Sequence, residues 1–207
     1  MVKLTRIYTR TGDAGKTRLS DGSATLKTDA RVAAYGAVDE ANCAIGVALA
    51  LPGIPDEIAK LLALVQNELF DVGADLSNPM VPEPKWEPLR VIAESVTRLE
   101  HWCDKFAAKL PELKSFVLPS GTPLAAQLHV VRTLVRRAER AAWEAAEEYG
   151  LELTAAHPAG GINPIALRYL NRLSDLAFIL ARYANCTTGQ DELFWVSGGE
   201  RHSDNKK

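Results

Sequence analysis

Two helix starts of the same design restrict this chain more than any other feature. Thr122-Pro123 and Asn163-Pro164 each put a side-chain oxygen at an N-cap and proline at the first helical position, where its missing N–H is no loss. From Pro123 the helical period runs to about Tyr149, with Gly150 following as a left-handed stop. From Pro164 it runs to about Tyr183 or Asn185. Three earlier segments carry the same period. The first spans about Asp29 to Leu51, with Thr28 as cap and Val32, Tyr35, Val38, Asn42, Ile45 and Leu49 as its repeating positions. The second spans about Asp56 to Asp75, with Ile58, Leu61, Leu62, Val65, Leu69 and Val72 inward, and the third about Leu89 to Lys109. Four prolines make Ser77 to Pro88 a loop, and Pro111 to Gly121 is a connection holding Phe116-Val117-Leu118. The expected fold class is all-α: a five-helix bundle over residues 29–185, with a basic, irregular segment over 1–28 and a disordered polar tail over 198–207.

At 207 residues the chain reads as one domain able to bury roughly 70% of its unfolded surface. Its 24 basic and 26 acidic residues give a net charge of −2, which disfavours a dedicated nucleic-acid binder. No apolar run reaches the ~18 residues of a membrane span, and the N-terminus lacks the apolar region of a signal peptide. Cys43, Cys103 and Cys186 are odd in number and widely spaced, with no zinc spacing. They are expected to be reduced and mostly buried, in a cytoplasmic protein.

The fourth helix carries the strongest chemical signal. Arg132, Arg136 and Arg140 follow i, i+4, i+8 and stack on one face, flanked by Arg137 and Glu139. Leu128, Val131, Val135, Ala138 and Ala142 mark its buried side. Four guanidiniums within nine residues, with one local carboxylate, call for an anion, and the Arg fork suits phosphate. A solvated face paired with glutamates of neighbouring helices is the plain alternative.

The second signal is Tyr8-Thr9-Arg10-Thr11-Gly12-Asp13-Ala14-Gly15-Lys16-Thr17. It lies in a stretch, Met1 to Lys27, with six basic and two acidic residues. Glycines there admit backbone N–H groups to an anion, and Thr and Lys add donors. It is not a Walker A loop: Arg10 stands where the first glycine belongs, and no helix follows. A phosphate cradle of another kind and an ordinary surface turn both remain open. On the fifth helix Asn171 and Asp175 share a face, and on the first Asp39-Glu40 interrupt an apolar stretch. No Glu-x-x-His pair supports a di-metal bundle, and no metal-ligating set is assigned.

Four ordered blocks give these pieces a common reading. They are Tyr8 to Thr17; Ala34-Tyr35-Gly36-Ala37-Val38-Asp39-Glu40; Phe116 to Gly121 leading into Arg132–Arg140; and Tyr169-Leu170-Asn171-Arg172-Leu173-Ser174-Asp175. With them the chain resembles, from about Lys3 to about Trp195, the ATP:cob(I)alamin adenosyltransferases of the trimeric five-helix type, the class of propanediol utilisation and mitochondrial B12 metabolism. The resemblance implies transfer of the 5′-deoxyadenosyl group of ATP to the cobalt of reduced corrinoid, with release of triphosphate. It implies Mg²⁺, ATP as cosubstrate and cobalamin as substrate. It also implies a homotrimer with sites between subunits, a reductase that supplies Co(I), and a B12-dependent acceptor enzyme.

By the same resemblance Thr9, Arg10, Thr11, Gly12 and Thr17 match the ATP cradle, and Lys27 lies on the nucleotide. Arg136, Arg137, Glu139, Arg140 and Asn171 match further nucleotide contacts. Arg132 and Asp39 match an arginine–aspartate pair joining subunits, and Phe116 an aromatic on the lower axial side of the corrin. Ala41 stands where leucine is usual, and no C-terminal residue is matched to the corrin wall. The chemistry suits the residues: a triphosphate leaving group needs cations, while no proton moves at C5′, so no His or Cys catalytic set is required.

Overall fold

The computed structural model describes residues 8, 10–155 and 158–198. Among them the chain runs β1 (Lys16–Arg18), β2 (Ala24–Leu26), α1 (Ala30–Leu49), α2 (Asp56–Leu76), α3 (Ala93–Ala107), α4 (Pro123–Tyr149) and α5 (Pro164–Thr187). The five expected helices are all present, and α1, α4 and α5 form the centre, α4 lying between the other two. Helix α2 flanks α1, and α3 flanks α5. Of the polar tail over 198–207, only Gly198 lies among the described residues.

Local chemistry sets the ends. Thr122 Oγ1 accepts from Ala125 N at 3.2 Å, and Asn163 Oδ1 from Ile165 N at 3.0 Å, so both Pro-marked starts are capped as their sequences require. Gly150 stops α4 with φ 80°. The cap of α1 is Asp29 rather than Thr28: its carboxylate accepts from Arg31 N at 2.8 Å. Helix α3 starts four residues later than its period suggests. Asp75, buried at the end of α2, accepts the Val91 N–H at 2.7 Å and Arg90 Nη1 at 2.6 Å, and so holds this stretch out of the helix.

The inward residues of α2 and α4 are buried as their period predicts. In α1 the deepest positions are instead Ala34, Ala41 and Ala48, with Val38 and Ile45, while Val32, Tyr35 and Leu49 are half-buried. Small side chains let α1 sit closely between α2 and α4. Helix α1 is long and apolar enough to cross a membrane by length and composition alone, and here it packs against α2 and α4. Its first turn buries Arg31, 1% exposed, whose guanidinium donates to the carbonyls of Leu76 and Gly160.

Two expectations are corrected. Only Cys103 is buried, its thiol pushed up to about 11 by that burial, whereas Cys43 and Cys186 are exposed. Cys43 stands on the outward stripe of α1 with Glu40 and Val47, and Cys186 on the last turn of α5. The N-terminal segment is also less irregular than its turn formers suggest: β1 and β2 pair antiparallel, with Thr17 opposite Thr25.

Candidate active site

Helix α4 displays the arginines and α5 lies beside it. Arg132 is half-buried, and Arg136, Arg137 and Arg140 are exposed. Arg137 forms an ion pair with Glu40 of α1, and Glu139 accepts from Asn171 Nδ2 at 3.0 Å. Among the described residues Arg132, Arg136 and Arg140 have no carboxylate partner. Burial, and then the neighbouring Arg136, push the Arg132 guanidinium below its ordinary range. Its Nε is buried without a hydrogen-bond partner, and its Cζ lies 6.0 Å from the Phe178 ring centre.

Phe116, Arg132 and Arg136 converge on one cleft of about 370 Å³, walled also by Val117, Ser174, Asp175 and Phe178. Phe116 is 80% exposed, an unusual state for a phenylalanine and one that suits a ring waiting for a flat apolar ligand. Its loop is held by the C-terminal segment: Trp195 N donates to Phe116 O at 2.7 Å and Leu118 N to Leu193 O at 2.8 Å. The Trp195 ring meets Phe116 edge-on, with centroids 6.3 Å apart. Sequence reasoning missed these aromatics. Phe178 had a signal, since Asn171, Ser174, Asp175 and Phe178 follow i, i+3, i+4, i+7 on one stripe. The pairing of residues 193–195 with the Phe116 loop had none.

The N-terminal residues form a separate piece. Arg10 adopts φ 62°, an uncommon state for a residue with a side chain, and opens a turn in which Gly15 N donates to Gly12 O at 3.2 Å. The Lys27 side chain lies over Gly12, so close that a Cβ there would be 3.1 Å from Nζ. Thr17 sits in β1, Thr11 is exposed in the turn, and Thr9 lies outside the described residues. The segment is fastened to Ser77 at the end of α2 and, through Asp29, to Tyr149. Tyr149 is 17 residues, about 25 Å, along α4 from Arg132. Asp39, exposed, faces a different cleft of about 590 Å³ with Arg18, Tyr35 and Phe70. Within one chain, then, Phe116, Arg132 and Arg136 come together, while Asp39 and the N-terminal cradle lie elsewhere.

A helix bundle whose unpaired arginines border an open aromatic cleft can take an anion beside an apolar surface. Comparison with known proteins gives that class its family. The family model described as cobalamin adenosyltransferase matches residues 7–184. A corrinoid adenosyltransferase of Mycobacterium tuberculosis (strain H37Rv) is 56% identical over 201 residues, 97% of each chain. One of Bacillus subtilis is 43% identical over 188 residues, 89% of each chain. Among solved structures, a phenylalanine-to-alanine variant of a PduO-type ATP:corrinoid adenosyltransferase from Lactobacillus reuteri, complexed with cobalamin and ATP, superposes with a TM-score of 0.82. It is 34% identical, over 93% of this chain and 100% of that one. The chain belongs to the cobalamin adenosyltransferase family. It is an enzyme, an adenosyltransferase that acts on corrinoids with ATP as donor.

Proposed function

We propose that the cobalt of cob(I)alamin attacks C5′ of ATP in the Phe116–Arg132–Arg136 cleft. The cobalt electron pair forms the Co–C bond, the C5′–O bond breaks, and its electrons leave on triphosphate. The observation that carries this reading is the convergence of an exposed aromatic wall and unpaired guanidiniums on one cleft. Arg136, Arg137 and Arg140 stabilise the charge that grows on the leaving group, Arg137 exchanging Glu40 for phosphate. Glu139 and Asn171, already hydrogen-bonded, orient the nucleoside end. Thr9, Arg10, Thr11, Gly12, Thr17 and Lys27 cradle the phosphates. Phe116 covers the lower axial face of the corrin, with Phe178 and Trp195 as further walls. A ring there excludes a lower ligand, which makes Co(II) easier to reduce.

Among the described residues no three His, Cys, Asp or Glu side chains gather as a metal site. Mg²⁺ would then enter with the nucleotide, on its phosphate oxygens, and would supply further charge neutralisation beside the arginines. The active unit we propose is a homotrimer with each site shared between neighbours. Its support is that among the described residues neither Arg132 nor Asp39 forms an ion pair, although each faces an open cleft. Co(I) needs an electron donor, so a reductase partner is part of the proposal, as is an acceptor enzyme for the coenzyme formed. Three free thiols fit the reducing setting of a cytoplasm.

A charge exchange tests the shared site. Asp39→Arg and Arg132→Asp should each weaken assembly and abolish turnover, and the double variant should regain the trimer in sedimentation. Singles that stay trimeric, or a double variant that stays monomeric, would overturn the pairing.

A further inference from the structure

The N-terminal hairpin is held to the bundle through Ser20 on Ser77 at the end of α2 and, nearer Lys27, at a second polar junction. Asp29 is its centre. One carboxylate oxygen caps α1 on Arg31 N, and the other accepts from the Thr25 hydroxyl of β2 and, at 2.9 Å, from the Tyr149 hydroxyl of α4. Burial alone would raise the Asp29 pKa, but hydrogen bonds from Thr25, Arg31 N and Tyr149 bring it below the ordinary range. The Tyr149 ring lies under the Arg31 guanidinium, 4.8 Å from Cζ, and cannot swing away without uncovering a buried charge. Asp29 N donates to Leu26 O at 3.1 Å, and Lys27 N to Gly15 O at 2.9 Å. A single residue, Thr28, therefore separates this junction from the lysine whose ammonium lies over Gly12.

We propose that Tyr149 is a positioning residue for the nucleotide cradle: through its hydroxyl it fixes Asp29, and through Asp29 the place of Lys27 relative to the bundle. The inference rests on the reading of Lys27 as a nucleotide contact. Tyr149 has no part in the cleft that holds Phe116 and Arg136. Its effect must then fall on ATP and not on the corrinoid.

The test is steady-state kinetics of the full chain with MgATP and cob(I)alamin for Tyr149→Phe, Lys27→Ala and the double variant. Tyr149→Phe keeps the ring under Arg31 and removes only the hydroxyl. Its KM for ATP should rise roughly three- to tenfold, the range left by one hydrogen bond to a carboxylate that water partly replaces, with kcat and the corrinoid KM unchanged. In the Lys27→Ala background the same substitution should add nothing, because its effect passes through the missing side chain. Thr25→Val, which removes the other hydroxyl from Asp29, should act in the same direction. If Lys27→Ala raises the KM for ATP and Tyr149→Phe does not, the positioning role is overturned alone. If Lys27→Ala leaves that KM unchanged, the reading of Lys27 falls and the proposal with it. Additive effects in the double variant, or an equal loss for both substrates, would show a general structural role and overturn it.

Discussion

Gly121 is the hinge between the Phe116 loop and the arginine helix, and replacing it with alanine should be felt at both. Its φ of 109° is a region that residues with a Cβ avoid. A Cβ there would also stand 2.1 Å from Asn185 Oδ1. That amide has no room to yield: Asn185 is buried, its Oδ1 accepts from Thr122 N at 2.9 Å and its Nδ2 donates to Ser120 O at 3.3 Å. The backbone strain costs about 1–3 kcal/mol and the two hydrogen bonds about 1 kcal/mol each, so Gly121→Ala should lose about 3–5 kcal/mol. For a chain of this size that is a fall in Tm of roughly 6–20 °C, read by circular dichroism at the helix band. Corrinoid turnover should fall too, since the far side of the loop stays tied to residues 193–195 and Phe116 must shift. A variant within about 2 °C of the parent would refute the argument that Asn185 pins this hinge.

Two further outcomes follow from single side chains. His129 is 3% exposed, neither ring nitrogen has a partner among the described residues, and burial and then Arg132 hold its pKa below the ordinary value. The unfolded chain thus binds the proton better, so stability is greatest above about pH 6.5 and falls as the pH drops below it. His129→Leu should flatten the stability profile between about pH 5 and 7 by calorimetry, and an unchanged slope would count against the buried neutral imidazole. Phe116→Ala should slow turnover about tenfold or more when the reaction starts from cob(II)alamin and a reductant, a barrier change of about 1.4 kcal/mol. Equal rates for parent and variant from cob(II)alamin would remove the axial role of that ring.

The bundle was legible because its signals are local. Thr122-Pro123 and Asn163-Pro164 decide helix starts within a turn, and the periods of α2 and α4 name their own buried faces. The misjudged boundary, at α3, depends on Asp75, which reaches from another helix to take the Val91 N–H. The alanine face of α1 was obscured for a related reason: a period scan rewards large apolar residues, whereas close helix packing selects small ones. Of the site, the arginine stripe was readable as chemistry, because four cations within nine residues with one local carboxylate call for an anion, whereas Phe116 entered only through the family resemblance and its exposure shows only in the fold. The approach of Phe178 to Arg132, the contact of Trp195 with Phe116, and the junction of Asp29 with Tyr149 join residues far apart in sequence and become visible only once the helices are packed.

If corrinoid and ATP react in the cleft of Phe116, Arg132 and Arg136, the arginines of that cleft are indispensable to turnover. The most direct test is the absorbance of chemically reduced cob(I)alamin mixed with MgATP and the purified chain. Conversion to the light-sensitive adenosylcobalamin spectrum is expected, and its loss in Arg136→Ala with the fold intact. Conversion at the parental rate in that variant would contradict the placement of the reaction in this cleft.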